Sequence, residues 1–70
     1  MPLPAYDETW IMQTVRPAIA ETYAAHGQPL DDGYAAWVAR TQYDYHAGMS
    51  QEESLDKHLA ELEAELAGRA

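Results

Sequence analysis

The sequence predicts an all-α fold: a small three-helix assembly with a Pro-kinked first helix. Three observations predict it. Apolar residues recur at spacings of three and four in three separate stretches. Gly27 and Gly48 each stand just past the end of a stretch, where helices commonly stop. No alternating strand pattern, internal repeat or low-complexity tract competes with this organisation. A chain of 70 residues makes one domain, here 1–70, with helices expected at about 8–26, 32–46 and 51–67.

The first helix opens on Asp7 as N-cap, with Glu8 in the first turn. At about 100° per residue, Ile11, Met12, Val15, Ala18, Ile19, Thr22, Tyr23 and His26 share one face. Pro17 falls on the opposite face. The apolar phase is the same on both sides of it, so the spacing predicts one bent helix with the proline turned to water. "GQPLDDG" follows as a loop, and Asp31 or Asp32 caps the second helix. Its stripe is Tyr34, Trp37, Val38, Thr41 and Tyr45, ending near His46 before Gly48. Ser50 and Glu53 form an S-x-x-E capping box at the start of the third helix. Leu55, Leu59, Leu62 and Leu66 then form a heptad-like seam, and Gly68 is expected to end the helix. The e and g flanks of that seam are acidic, so the leucines are expected to pack on the other two helices.

Composition narrows the function classes. Twelve acids face four Lys and Arg, for a net charge of −8. Nucleic-acid binding rests on cations neutralising phosphates, and the chain has too few. "GMSQEES" resembles "GLSQEEL", which opens the second helix of Cro/repressor-type helix-turn-helix domains. That family continues with a tight turn and a basic recognition helix. Here "LDKHLAELEAELAGRA" continues with neither, and Lys57 and Arg69 are its only cations. No membrane span and no signal peptide are expected, and the absence of cysteine suits a cytoplasmic location.

Neither a metal nor another cofactor is expected. Asp44 near His46, and His58 three residues before Glu61, are only fragments of a ligand set. No enzyme activity is expected either. The four glycines are isolated, Ser50 is a cap, and 70 residues can hardly enclose a substrate pocket of several hundred cubic ångströms.

The candidate contact residues are apolar or acidic groups outside the expected core. Tyr43 lies about 180° from Tyr34, among Ala36, Ala39, Arg40 and Ala47. Trp10 falls opposite the first helix's core face, in line with Thr14, Pro17 and Glu21, unless the "PLP" segment covers it. Glu53–Lys57, Lys57–Glu61 and Glu65–Arg69 are spaced to pair along the third helix. Glu52, Asp56 and Glu63 have no cation at such spacing. The expected function is therefore non-enzymatic: binding a partner protein with a basic surface through Glu52, Asp56, Glu63, Tyr43, Arg40 and Trp10. In size, charge and helicity the chain resembles small acidic inhibitors encoded by phages, among them anti-CRISPR proteins and RNA polymerase inhibitors. Such a protein would occupy a nucleic-acid-binding site as a mimic. The alternative is an accessory or antitoxin-like subunit of a complex, and a homodimer through Tyr43 is compatible with either.

Overall fold

The computed structural model describes residues 8–69, with the backbone alone at His46. Asp7 and the "PLP" segment lie outside the described residues. Three helices are present, and among the described residues there is no strand. Glu8–Trp10, Ile11–Val15 and Arg16–Ala25 run on without interruption and form α1, residues 8–25. Asp32–His46 is α2 and Gln51–Arg69 is α3. Each helix packs against the other two.

Pro17 lies near the start of the Arg16–Ala25 segment, and the turn before it, Ile11–Val15, is π-helical. There the Arg16 N–H donates to the Ile11 carbonyl, five residues back. A proline has no N–H to donate and its ring crowds the carbonyl four residues earlier. A widened turn relieves that crowding, so α1 accommodates Pro17 without a break.

The π turn also explains two departures from the expected faces. It uses about one more residue than an α turn, which rotates everything before it by roughly 100°. Met12, expected on the core face, is exposed. Trp10, expected opposite that face, is half-buried against the core, with its ring 5.0 Å from that of Tyr45 on α2. From Val15 onward the expected phase holds, and Val15, Ile19, Thr22 and Tyr23 are all buried.

Both inter-helix turns are closed by glycine in the left-handed region, φ 67° at Gly27 and 105° at Gly48. The Gly27 and Gln28 N–H groups donate back to the Ala24 and Tyr23 carbonyls at 3.0 Å each. Gly48 and Met49 repeat the pattern onto Tyr45 and Asp44. These are Schellman closures, and an L side chain at either glycine would be strained. Asp31 is the N-cap of α2, accepting from the Gly33 N–H at 2.8 Å. Ser50 Oγ caps α3, accepting from the Glu53 N–H at 3.1 Å.

The core joins Ile11, Val15, Ile19 and Tyr23 of α1 to Trp37 and Val38 of α2 and to Leu62 and Leu66 of α3. On α3 the fully covered stripe differs from the expected leucine seam. Ser54, His58, Leu62 and Leu66 are buried, whereas Leu55 and Leu59 are only half-buried at its margin. Gly68 does not end α3. Its φ is not positive, and the helix runs on to Arg69. Arg69 is held there by Asp31 at 2.9 Å and Glu65 at 3.1 Å.

Candidate functional site

α2 and α3 are antiparallel neighbours joined through Asp31, the N-cap of α2, and Asp44 within it. Near the α2 N-terminus, Asp31 Oδ1 accepts from the Tyr23 hydroxyl at 3.2 Å, and Oδ2 accepts from Arg69 Nη1 at 2.9 Å. The Gly33 N–H and the Arg69 guanidinium hold the Asp31 carboxyl below its ordinary range. Burial, and then the hydrogen bond to Asp31, push the Tyr23 phenol up. One carboxylate thus ties the ends of all three helices.

Toward the α2 C-terminus, Asp44 Oδ2 lies 2.6 Å from His58 Nε2 and 3.2 Å from Lys57 Nζ. The His58 imidazole, and then the Lys57 ammonium, hold the Asp44 carboxyl below its ordinary range. Glu61 Oε1 comes within 2.8 Å of His58 Nδ1, but off the direction of a hydrogen bond, so this buried nitrogen has a charged neighbour and no hydrogen-bond partner. Deeper in the same interface, the buried Ser54 hydroxyl donates to the Thr41 carbonyl at 2.6 Å.

Beside Asp44 and His58 opens a cleft of about 410 Å³, lined by Ala39, Arg40, Tyr43, Asp44, Lys57 and His58. It is open to solvent and is not an enclosed pocket. The cleft lies between two helices on the bundle surface and needs no enclosing domain. Tyr43 stands at it with 72% of its surface exposed, as its position opposite Tyr34 predicts. The Arg40 guanidinium lies over the Trp37 ring, 4.6 Å from its centroid.

The candidate residues fall into separate places. Tyr43 and Arg40 share the cleft, but Trp10 does not line it. Trp10 belongs to the α1–α2 packing, so the premise for its role as a free anchor is gone. Glu52, Asp56 and Glu63 are exposed and, among the described residues, in no ion pair. On a helical projection these three lie within about 40° of one another, beyond Leu59, on the flank of α3 away from Lys57 and Glu61. Glu65–Arg69 pairs as its spacing predicts. Lys57 does not pair along α3 with Glu53 or Glu61. It reaches across to Asp44, which is less exposed than either glutamate and concentrates the interaction away from water.

Asp44, His58 and Glu61 are brought together, but the two carboxylates approach opposite nitrogens of one imidazole and do not converge on a shared point. Among the described residues no group of three or more His, Cys, Asp or Glu could hold a metal ion. The side chain of His46 lies outside the described residues. No described helix is long and apolar enough to cross a membrane. Comparison with family models, with curated proteins and with solved structures finds no match.

The burial of Ser54 and His58 departs from the leucine seam expected on α3. One signal was available: with Leu62 and Leu66 they form an unbroken series at every fourth residue.

Proposed function

We propose that the protein is a non-enzymatic binding module whose acidic flank, Glu52, Asp56 and Glu63, engages a basic surface of a partner protein. One observation carries this. Lys57 and Arg69, the two cations of α3, are both engaged already, Lys57 by Asp44 of α2 and Arg69 by the N-cap Asp31 and by Glu65. They leave the three exposed acids of the other flank uncompensated. Opposite charge on a partner would speed encounter and fix orientation, and the attraction would weaken with salt. Basic grooves are commonly nucleic-acid sites. The corresponding biological role is that of an inhibitor encoded by a phage or mobile element, acting in the cytoplasm by occupying such a groove. A second role, an accessory or antitoxin-like subunit, is favoured by the exposure of Tyr43, because a large aromatic beside a cleft suits a lasting interface.

The test compares two triple variants. Glu52→Lys, Asp56→Lys and Glu63→Lys together move the net charge from −8 to about −2. Glu8→Lys, Glu21→Lys and Asp32→Lys make the same change at exposed positions on the other helices. Proteins captured from a lysate of the host cell by the native chain should be retained by the second variant and lost by the first. Their binding should fall with salt, and double-stranded DNA should displace the chain if the inhibitor role holds. Equal loss in both variants would show that only overall charge matters. Undiminished capture by the first variant would refute the proposal.

A further inference from the structure

The cleft between α2 and α3 has the opposite character to the acidic flank. Arg40 and Lys57, two of the chain's four cations, line it against a single carboxylate, Asp44. The balance is one formal positive charge on a protein of net charge −8. Asp44 is engaged by Lys57 and His58 through the same oxygen, Oδ2. Arg40 stands four residues before Asp44 on the same helix, where an ion pair would be ordinary. Yet among the described residues no carboxylate comes within ion-pair distance of it. Instead its guanidinium is laid over the buried Trp37 ring, which limits its freedom and leaves its N–H edges unused. Arg16, also unpaired, lies outside the cleft, on the exposed surface of α1.

We propose that this cleft binds a small organic monocarboxylate with a flat apolar body. A planar guanidinium with free donors matches a carboxylate through two parallel hydrogen bonds. Tyr43, three residues after Arg40 and on the same side of α2, supplies an aromatic wall, and Ala39 leaves space beside it. The volume of about 410 Å³ falls in the range of small-molecule pockets. A single negative charge neutralises the lining. A dianion would leave an excess facing the protein's own acidic field. This site is independent of the acidic flank, and its test needs no protein partner.

The experiment is an NMR titration of the full chain with three probes. Benzoate carries both the carboxylate and the flat body, benzyl alcohol only the body, and inorganic phosphate only the charge. Benzoate should shift the Tyr43 and His58 ring signals saturably, at least tenfold more tightly than either other probe. Arg40→Gln should weaken benzoate at least tenfold with an unchanged helical circular dichroism spectrum, and Arg40→Lys should restore only part. Arg16→Gln should leave binding intact. Equal binding of benzoate and benzyl alcohol would reduce the site to an apolar cleft. Equal binding of phosphate would reduce it to a bare charge. Indifference to Arg40→Gln would overturn the proposal, as would ring signals that respond to dilution of the protein and not to benzoate, since a second copy would then be the occupant.

Discussion

The two halves of α3 bury the same stripe with different chemistry. In the C-terminal half the covered residues are Leu62 and Leu66, inside the apolar cluster that α1 and α2 share. In the N-terminal half they are Ser54 and His58, each bonded to a particular acceptor on α2, the Thr41 carbonyl and the Asp44 carboxylate. Burial of leucine is non-directional and tolerates small shifts of one helix on another. A buried hydroxyl or imidazole tolerates none, because losing its partner leaves an unsatisfied group in a low dielectric. The leucine half therefore supplies most of the holding energy, and the polar half sets where α3 sits along α2. The same polar half forms a wall of the cleft. The geometry of Arg40, Tyr43 and Lys57 around that opening depends on the register fixed by Ser54 and His58.

Truncating each half in turn is the most direct way to break this contrast. Leu62 is fully buried, and Leu62→Ala should cost about 2–5 kcal/mol, a large share of the stability of so small a domain. His58→Ala should cost about 1–3 kcal/mol, and Ser54→Ala about 1 kcal/mol. Urea unfolding gives all three. The distinguishing measurement is the cleft. The two polar variants should alter the Tyr43 and Arg40 signals well beyond what their stability loss explains, whereas Leu62→Ala should leave those signals near native while lowering the midpoint more. If all three variants disturb the cleft equally, the division of labour along α3 does not exist.

Acid sharpens the contrast, because the Asp44 carboxyl in the polar half titrates and the leucine contacts do not. The folded Asp44 and Asp31 carboxyls both lie below their ordinary values. A group depressed on folding contributes stability that is present above its unfolded pKa, about 3.9 for aspartate, and lost as pH falls through the lower folded value. Asp44→Asn should therefore be less stable than the native chain at pH 7, and that difference should shrink as pH drops from about 5 toward 2. The penalty of Leu62→Ala should show no such trend. At the alkaline end the sign reverses. Tyr23 is raised on folding, so its contribution is present below about pH 10 and lost as pH rises through the folded value. Tyr23→Phe should flatten that alkaline loss.

Much of this architecture is legible in the sequence, and the reasons are physical. Helix positions follow from Gly27, Gly48, Asp31 and Ser50, because glycine conformation and capping are local properties. Tyr43 is exposed as its phase predicts, because α2 is regular from end to end. The misplacement of Trp10 and Met12 has one cause: a constant rotation of about 100° per residue fails across a π turn, and the pattern does not mark where that turn falls. The burial of Ser54 and His58 was hidden for another reason. Polar residues signal solvent unless their partners are known, and Thr41 and Asp44 stand 13 and 14 residues away. The cleft depends on those same long-range pairings.

Two glycines within helices provide the smallest and most local test. Exchanging a helical glycine for alanine ordinarily stabilises by about 0.5–1 kcal/mol, because the unfolded chain loses freedom. Gly68 should show that sign, reduced to a few tenths by its place in the last turn of α3. A Cβ there meets nothing within 4 Å, and its φ is not in the left-handed region. Gly33 should show the opposite sign. A Cβ there would lie 2.9 Å from Asp31 Oδ1 and 2.9 Å from the Tyr23 hydroxyl. Both atoms belong to the junction that ties the three helix ends, and the Tyr23 ring is buried and has no room to swing aside. Gly33→Ala should therefore destabilise by about 1 kcal/mol despite its better helix propensity, as overpacked sites do. Pairing it with Tyr23→Phe, which removes the crowded oxygen, should recover part of the loss. Recovery in that pair would show that the close approach of α1 to the α2 N-terminus is what excludes a side chain at position 33. A stabilising Gly33→Ala would mean that the Asp31 junction yields easily and that the leucine half of α3 holds the bundle without it.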